Sequence, residues 1–271
     1  MNRSRIWAAS GLVALAGGVV FFLLPPIPQD PAYHNFADQR ALLGLPHCLD
    51  VLSNAAFLIV GVWGLIFLTR ENSLQRSGGF PASSERWTYF FFFVGVFLTA
   101  FGSAYYHLAP DNARLVYDRL PMAIGFMALL AAVISERVDA QLGTRLLAPL
   151  IVLGIASVLY WRWTELRGRD DLRLYGLVQF GSIAAIVLLA SFWPSRYTRG
   201  RDVFVIAGLY GVAKLFEWLD RPIFALGKIV SGHTLKHLTA AVACYWVVRM
   251  LALRSSELGS VQEPTMAAPR A

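Results

Sequence analysis

The sequence predicts an all-α protein, a polytopic membrane helical bundle, and three observations carry that prediction. Hydrophobic residues make up 56% of the 271-residue chain and charged residues 15%, against about 25% charged in soluble domains. The mean hydropathy is +0.53. Eight apolar runs, at about 6–24, 51–69, 87–108, 113–135, 145–162, 173–193, 203–220 and 232–253, approach the roughly 20 residues that a helix needs to cross a ~30 Å hydrocarbon core. Their lack of period-2 alternation disfavours a barrel of lipid-facing strands.

The first run follows Arg3 and Arg5 and leads into PPIPQDP without a small-x-small cleavage pattern. It is expected to persist as a helix rather than be removed as a secretory signal. The second run opens on DVLSN, where Asp50, Ser53 and Asn54 can cap the helix and bond between helices. The third, WTYFFFFVGVFLTAFGSAYYH, closes on Ser103 and His107. Pro110 in the following APDN cannot continue that helix, and Asp111 or Asn112 can cap the next. Asp118 then lies early in the fourth run.

The fifth and sixth runs flank the loop WRWTELRGRDDLR, and the seventh ends on GVAKLFEWLDRP. There Glu217 and Asp220 are expected to pair with Lys214 or Arg221 at the interface; the alternative is contact with substrate polar groups or with a metal-ligating histidine. The eighth run opens as SGHTLKHLTAAVACYW, with His233 and His237 one turn apart. Lys236 between them is expected on another face, snorkelling. The small, polar tail from about Ser255 is expected to be disordered.

A net charge of +7 would suggest nucleic acid in a soluble protein. Here the basic residues fall in short loops, where they set orientation and meet anionic headgroups, so no nucleic-acid partner is expected. Their slight excess on the face bearing both termini makes that face cytoplasmic and the histidine-bearing face external. Cys48 and Cys244 have neither metal nor redox spacing and read as inert thiols.

Serial helices joined by short loops alternate in direction. The end of the third run and the starts of the fourth and eighth therefore face one side of the membrane. At 1.5 Å per residue, His107, Asp118, His233 and His237 lie within roughly 10 Å of one boundary. Ser103 and His107 share a helix face, as do His233 and His237. Three imidazoles from two helices, with a carboxylate and a hydroxyl nearby, are the materials of a catalytic zinc site with its fourth position open. An ionised mid-membrane residue costs about 3 kcal/mol on insertion scales, whereas structural zinc binding in small peptides releases about 10–16 kcal/mol. Each residue alone has a plainer reading: a core or interfacial histidine, a packing serine beside Gly102, an Asp118–Arg119 interfacial pair.

Together GSAYYH, YDRLP and GHTLKH resemble the alkaline ceramidases and their bacterial relatives, within the superfamily that includes the adiponectin and progestin receptors. The shared pattern is SxxxH, an Asp in the next helix and a closing HxxxH, matched by Ser103, His107, Asp118, His233 and His237. The resemblance implies a seven-helix core over residues 50–253, with an added transmembrane helix and loop over 1–49 and a tail over 254–271. It implies zinc held by His107, His233 and His237, with Asp118 taking a proton from the water at the metal and Ser103 steadying the oxyanion. The implied reaction is hydrolysis of the amide of ceramide or a similar N-acyl membrane lipid to a fatty acid and a sphingoid base, in a bacterial inner membrane.

Eukaryotic members carry a calcium site and a Glu shortly before the SN pair, where this chain has His47. Asp38 and Asp50 alone are a weak calcium signal, so calcium is not expected. His34 and His47 read as solvated loop residues. A lipid receptor or sensor with a structural zinc is the alternative function. A haem carrier is disfavoured, because His233 and His237 on one helix cannot be the two axial ligands of one iron. Oligomeric state and acyl-chain length have no legible signature.

Overall fold

The computed structural model describes residues 23–42, 44–70, 80 and 83–256. Most of the expected first run, and the tail after residue 256, lie outside the described residues. Within them the fold is all-α, with eight helices: α1 (Cys48–Thr69), α2 (Arg86–Leu108), α3 (Asn112–Arg137), α4 (Ala140–Leu166), α5 (Arg173–Phe192), α6 (Asp202–Trp218), α7 (Asp220–Gly227) and α8 (Gly232–Leu253). Helices α1 to α5 are long and apolar enough to cross a membrane. Helices α6 and α8 stand where the last two runs predict spans, and α7 is a short helix between them.

Local chemistry sets the helix starts. Asp111 caps α3 by accepting the Arg114 N–H at 2.7 Å, Asp139 caps α4 through Leu142 N–H at 2.8 Å, and Ser231 caps α8 through Thr234 N–H at 3.0 Å. Each side-chain oxygen satisfies a donor that the first helical turn leaves free. Helix α1 is broken at its second turn, where Ser53 Oγ and Asn54 Nδ2 both donate to the Asp50 carbonyl, at 2.9 and 2.8 Å. Helix α5 contains a π-helical turn over Leu177–Gly181.

The helices close into a ring in which α1 packs on α2, α2 on α3, α3 on α5, α5 on α6, α6 on α8 and α8 on α1; α4 packs chiefly against α3. Helix α3 is the central strut. Its Ala123, Ala128, Ala131 and Ala132 are fully buried, and such small residues let neighbouring helices approach closely. Large apolar side chains such as Ile59, Leu153 and Phe192 point outward, as a hydrocarbon surround favours.

The tightest approach joins α2 to α3. A Cβ on Gly102 would lie 2.0 Å from the Tyr117 carbonyl oxygen. Pro121 sits inside α3, and with no N–H it removes the helical donor that this carbonyl would otherwise meet. The freed oxygen faces Gly102, and Ser103 and Asp118 are brought side by side as the next residues along.

The opposite end of the bundle is closed by buried charge. Glu136 pairs with Arg254 and accepts the Tyr89 hydroxyl at 2.6 Å. Glu85 pairs with Arg196 at 2.8 Å and accepts the Tyr197 hydroxyl at 2.6 Å. These bonds tie the start of α2 and the ends of α3 and α8 to the loop after α5.

Candidate metal centre

His107 is one residue from the end of α2, whereas His233 and His237 occupy the first two turns of α8. The antiparallel run of these helices brings their rings to the same end of the bundle, and all three are buried. The ring centroids form a nearly equilateral triangle: 4.8 Å from His107 to His233, 4.9 Å from His107 to His237 and 4.8 Å from His233 to His237. One nitrogen from each ring lies within 4.8 Å of the other two. The Nε2 atoms of His107 and His233 are 3.3 Å apart. A tetrahedral ion with metal–nitrogen bonds of about 2.0–2.1 Å needs its ligand nitrogens about 3.3 Å apart, so this edge has the required length.

The surroundings also fit a cation. Ser53 Oγ commits its one proton to the Asp50 carbonyl and lies 2.8 Å from His237 Nδ1. It therefore accepts the Nδ1–H, which fixes the tautomer that turns the Nε2 lone pair toward the other two rings. Asp220 Oδ1 accepts the His233 backbone N–H at 2.8 Å, and Asp50 Oδ1 accepts the hydroxyls of Ser231 and Thr234 at 3.0 and 2.6 Å. The first two turns of α8 are thus held by α1 on one side and by Asp220 at the start of α7 on the other. His107 Nδ1 is the exception, buried without a hydrogen-bond partner among the described residues. A buried set of neutral imidazoles suits zinc, copper, iron or nickel rather than calcium or magnesium.

The connecting loop before α1 covers the rings. Phe36, buried, lies 4.7 Å from the His107 ring and 4.4 Å from the His233 ring. Around it the Ala37 N–H donates to Asp220 at 2.8 Å, and Arg40 donates to the carbonyls of Lys228 and Ile229 at 2.6 and 2.8 Å. The Arg40 guanidinium also holds the Asp38 carboxyl below the usual carboxylate range. Burial, reinforced by Glu217, pushes the Tyr33 phenol well above its ordinary value, so it stays protonated and donates to Glu217 at 3.3 Å.

Two expectations for this loop need correction. His34 is not freely solvated: its ring nitrogens meet the Tyr106 hydroxyl at 2.8 Å and Asn112 Oδ1 at 2.9 Å. His47 is likewise half-buried, its Nδ1 3.1 Å from the Asp38 carbonyl and its ring against Phe36. The reason is the same for both: the loop folds back over the helix ends instead of standing in solvent.

A cavity of about 630 Å³ opens inside the ring of helices. Its walls are mostly apolar, but Ser103, Asp118, Lys236, His237 and Glu217 gather among its lining residues. The Ser103 hydroxyl and the Asp118 carboxyl are neighbours. The structure thus brings the three histidines into contact, and Ser103 and Asp118 line the same cavity as His237.

Lys236 differs from expectation. It does not snorkel: its Nζ donates to Glu217 at 2.7 Å and lies 3.5 Å from His233 Nε2. Glu217, which also pairs with Lys214, draws it inward. Ser53 and Phe36 carried no sequence signal for contact with the histidines, because 184 residues separate Ser53 from His237. For Asp220 the second expectation, support of a histidine, describes the geometry.

A search against family models finds no match for this chain, and a search of curated proteins finds none either. Fold and site together define a helical membrane protein with five candidate spans and a buried three-histidine cluster able to hold a metal ion.

Proposed function

We propose that this protein is a zinc-dependent intramembrane amidase that hydrolyses ceramide or a similar N-acyl lipid to a fatty acid and a sphingoid base. The observation that supports the reading is a histidine triangle of which one member, His237, lines a mostly apolar cavity together with Ser103 and Asp118 inside a membrane bundle. A metal site alone suits many functions. A metal site with a carboxylate and a hydroxyl beside it, facing a lipid-sized cavity, suits hydrolysis of a lipid's polar linkage. The amide is specified by the resemblance of GSAYYH, YDRLP and GHTLKH to the ceramidases.

His107, His233 and His237 would hold the ion, which when bound supplies Lewis-acid polarisation. Asp118 takes the proton of the attacking water and passes it to the leaving amine. Ser103 donates its hydroxyl to the oxygen that gains charge as the carbonyl carbon becomes tetrahedral. The aliphatic walls seat the acyl chain, and Phe36 limits bulk water at the rings.

In this reading α1 to α6 and α8 are the seven spans of the core over residues 50–253, with a further helix before it and a tail after it, in a bacterial inner membrane. The test compares native protein, Asp118→Asn and His107→Ala by elemental analysis and by hydrolysis of N-acyl sphingoid lipids. Asp118→Asn is expected to keep its metal and lose about 10²-fold or more in turnover, and His107→Ala to lose both. Equal turnover in native and His107→Ala protein would refute the proposal. A metal-loaded native protein that cleaves no N-acyl lipid would favour a receptor with a structural ion.

A further inference from the structure

Lys236 stands against the histidine triangle on its cavity side. Its Nζ lies 3.5 Å from His233 Nε2, the nitrogen that is itself 3.3 Å from His107 Nε2. Lys236 lines the cavity with His237, Ser103 and Asp118, whereas Phe36 covers His107 and His233 from the loop. The ammonium is therefore on the face that a ligand in the cavity can reach.

An ammonium has three protons to donate. Among the described residues its acceptors are Glu217 Oε1 at 2.7 Å and, at the limit of a hydrogen bond, His233 Nε2. A nitrogen that ligates a metal gives its lone pair to the ion, so a loaded site withdraws the second acceptor. A cationic donor is then left unmet on a side chain only 15% exposed, which is costly. Asp118 is the other carboxyl that acts on its charge, so lysine, base and metal ligands form one cluster.

Neutralising Glu217 does not explain the lysine. Glu217 already pairs with Lys214 through its other oxygen, and a cation beside a metal site weakens metal binding by repulsion. A fixed cation beside a reacting centre has a use where negative charge develops.

We propose that Lys236 is a catalytic residue, donating from Nζ to the carbonyl oxygen of the scissile amide as that oxygen gains charge, beside Ser103 and with Glu217 holding the ammonium in place. The inference rests on the amidase reading. The proton stays on Nζ throughout, and no bond to the lysine is made or broken.

The test compares the full native chain in phosphatidylcholine nanodiscs with Lys236→Met, which leaves Glu217 its bond to Lys214. Turnover of N-acyl sphingoid lipid is expected to fall about 10²–10³-fold, with KM little changed, since the contact strengthens only as charge develops. Zinc affinity, read by chelator competition, is expected to hold or rise because a like charge has gone. Unchanged turnover overturns the proposal, and so does loss of zinc affinity together with turnover, the mark of a structural lysine. Lys236→Gln, which keeps a neutral donor for Glu217, is the second variant if Lys236→Met folds poorly, and is read by the same criteria.

Ligand binding to cobalt-substituted protein, followed by visible absorption, separates this outcome from failure of the amidase reading. Acetohydroxamate, an anionic oxygen ligand, is expected to bind native protein on the order of tenfold or more tighter than Lys236→Met, as one charge-assisted contact supplies. Neutral imidazole is expected to bind both alike. If no N-acyl lipid is cleaved but acetohydroxamate keeps this dependence, Lys236 stands as a donor to an anionic oxygen and the amidase reading falls. Equal acetohydroxamate affinity in the two proteins, or an equal loss for both ligands, overturns the proposal. Native protein that takes up neither zinc nor cobalt overturns both.

Discussion

Replacing Ser53 by Ala should weaken metal binding although Ser53 touches no metal. Its hydroxyl accepts from His237 Nδ1 at 2.8 Å while donating to the Asp50 carbonyl at 2.9 Å. Alanine removes both bonds, and His237 can then rotate or adopt the other tautomer, with the proton on Nε2. Loss of such an outer partner typically lowers metal affinity about 10–100-fold, or about 1.4–2.7 kcal/mol. The assay is competition for zinc between purified protein and a chromogenic chelator, with circular dichroism and thermal melting as controls for folding. Ser53→Thr, which keeps the hydroxyl, should retain most of the affinity. Unchanged affinity in a folded Ser53→Ala protein would refute the tautomer argument.

Three further outcomes follow from the packing and the loop. Gly102→Val should destabilise the bundle by about 1–3 kcal/mol or more, because even the first added carbon would sit 2.0 Å from the Tyr117 carbonyl; thermal melting with a wild-type midpoint would contradict this. Arg254→Met should cost about 3–5 kcal/mol by leaving Glu136 buried without its partner, whereas the double variant Arg254→Met/Glu136→Gln should recover part of that loss in the same melts. The Asp38 carboxyl is held below its unfolded value by Arg40, so its stabilisation is fully present above the unfolded pKa of about 3.9 and is lost as pH falls through the lower folded value. Asp38→Asn should therefore melt earlier than native protein at neutral pH, and the gap should close only in strong acid; a gap independent of pH would contradict the pairing.

The histidine cluster was legible because two short-range regularities intersect. Helical spacing puts Ser103 with His107 and His233 with His237, and alternation of direction puts both pairs at one end of the bundle. The start of α3 was legible too, since Pro110 and Asp111 act within four residues of each other. The supports of the site were not, because they come from distant segments. Ser53 reads as a helix-start residue until α8 is laid beside it, and Lys236 reads as a snorkelling residue until Glu217 arrives from α6. Phe36 is one aromatic among 18 phenylalanines; its place over the rings depends on the path of the whole loop. The seven-span count rests on the sequence runs, since α6 has 17 residues and α8 carries its polar cluster in its first two turns.

Phe36 also bears on how long the site would hold a bound ion. With the benzyl group against His107 and His233, the Ala37 N–H on Asp220 and the Arg40 guanidinium on the Lys228 and Ile229 carbonyls, a path past Phe36 would open only when the loop opens locally. Departure of an ion by that path would then be timed by the opening as well as by the strength of its bonds. In a metal-starved compartment, such a centre would outlast a period of scarcity that empties an open site of equal affinity.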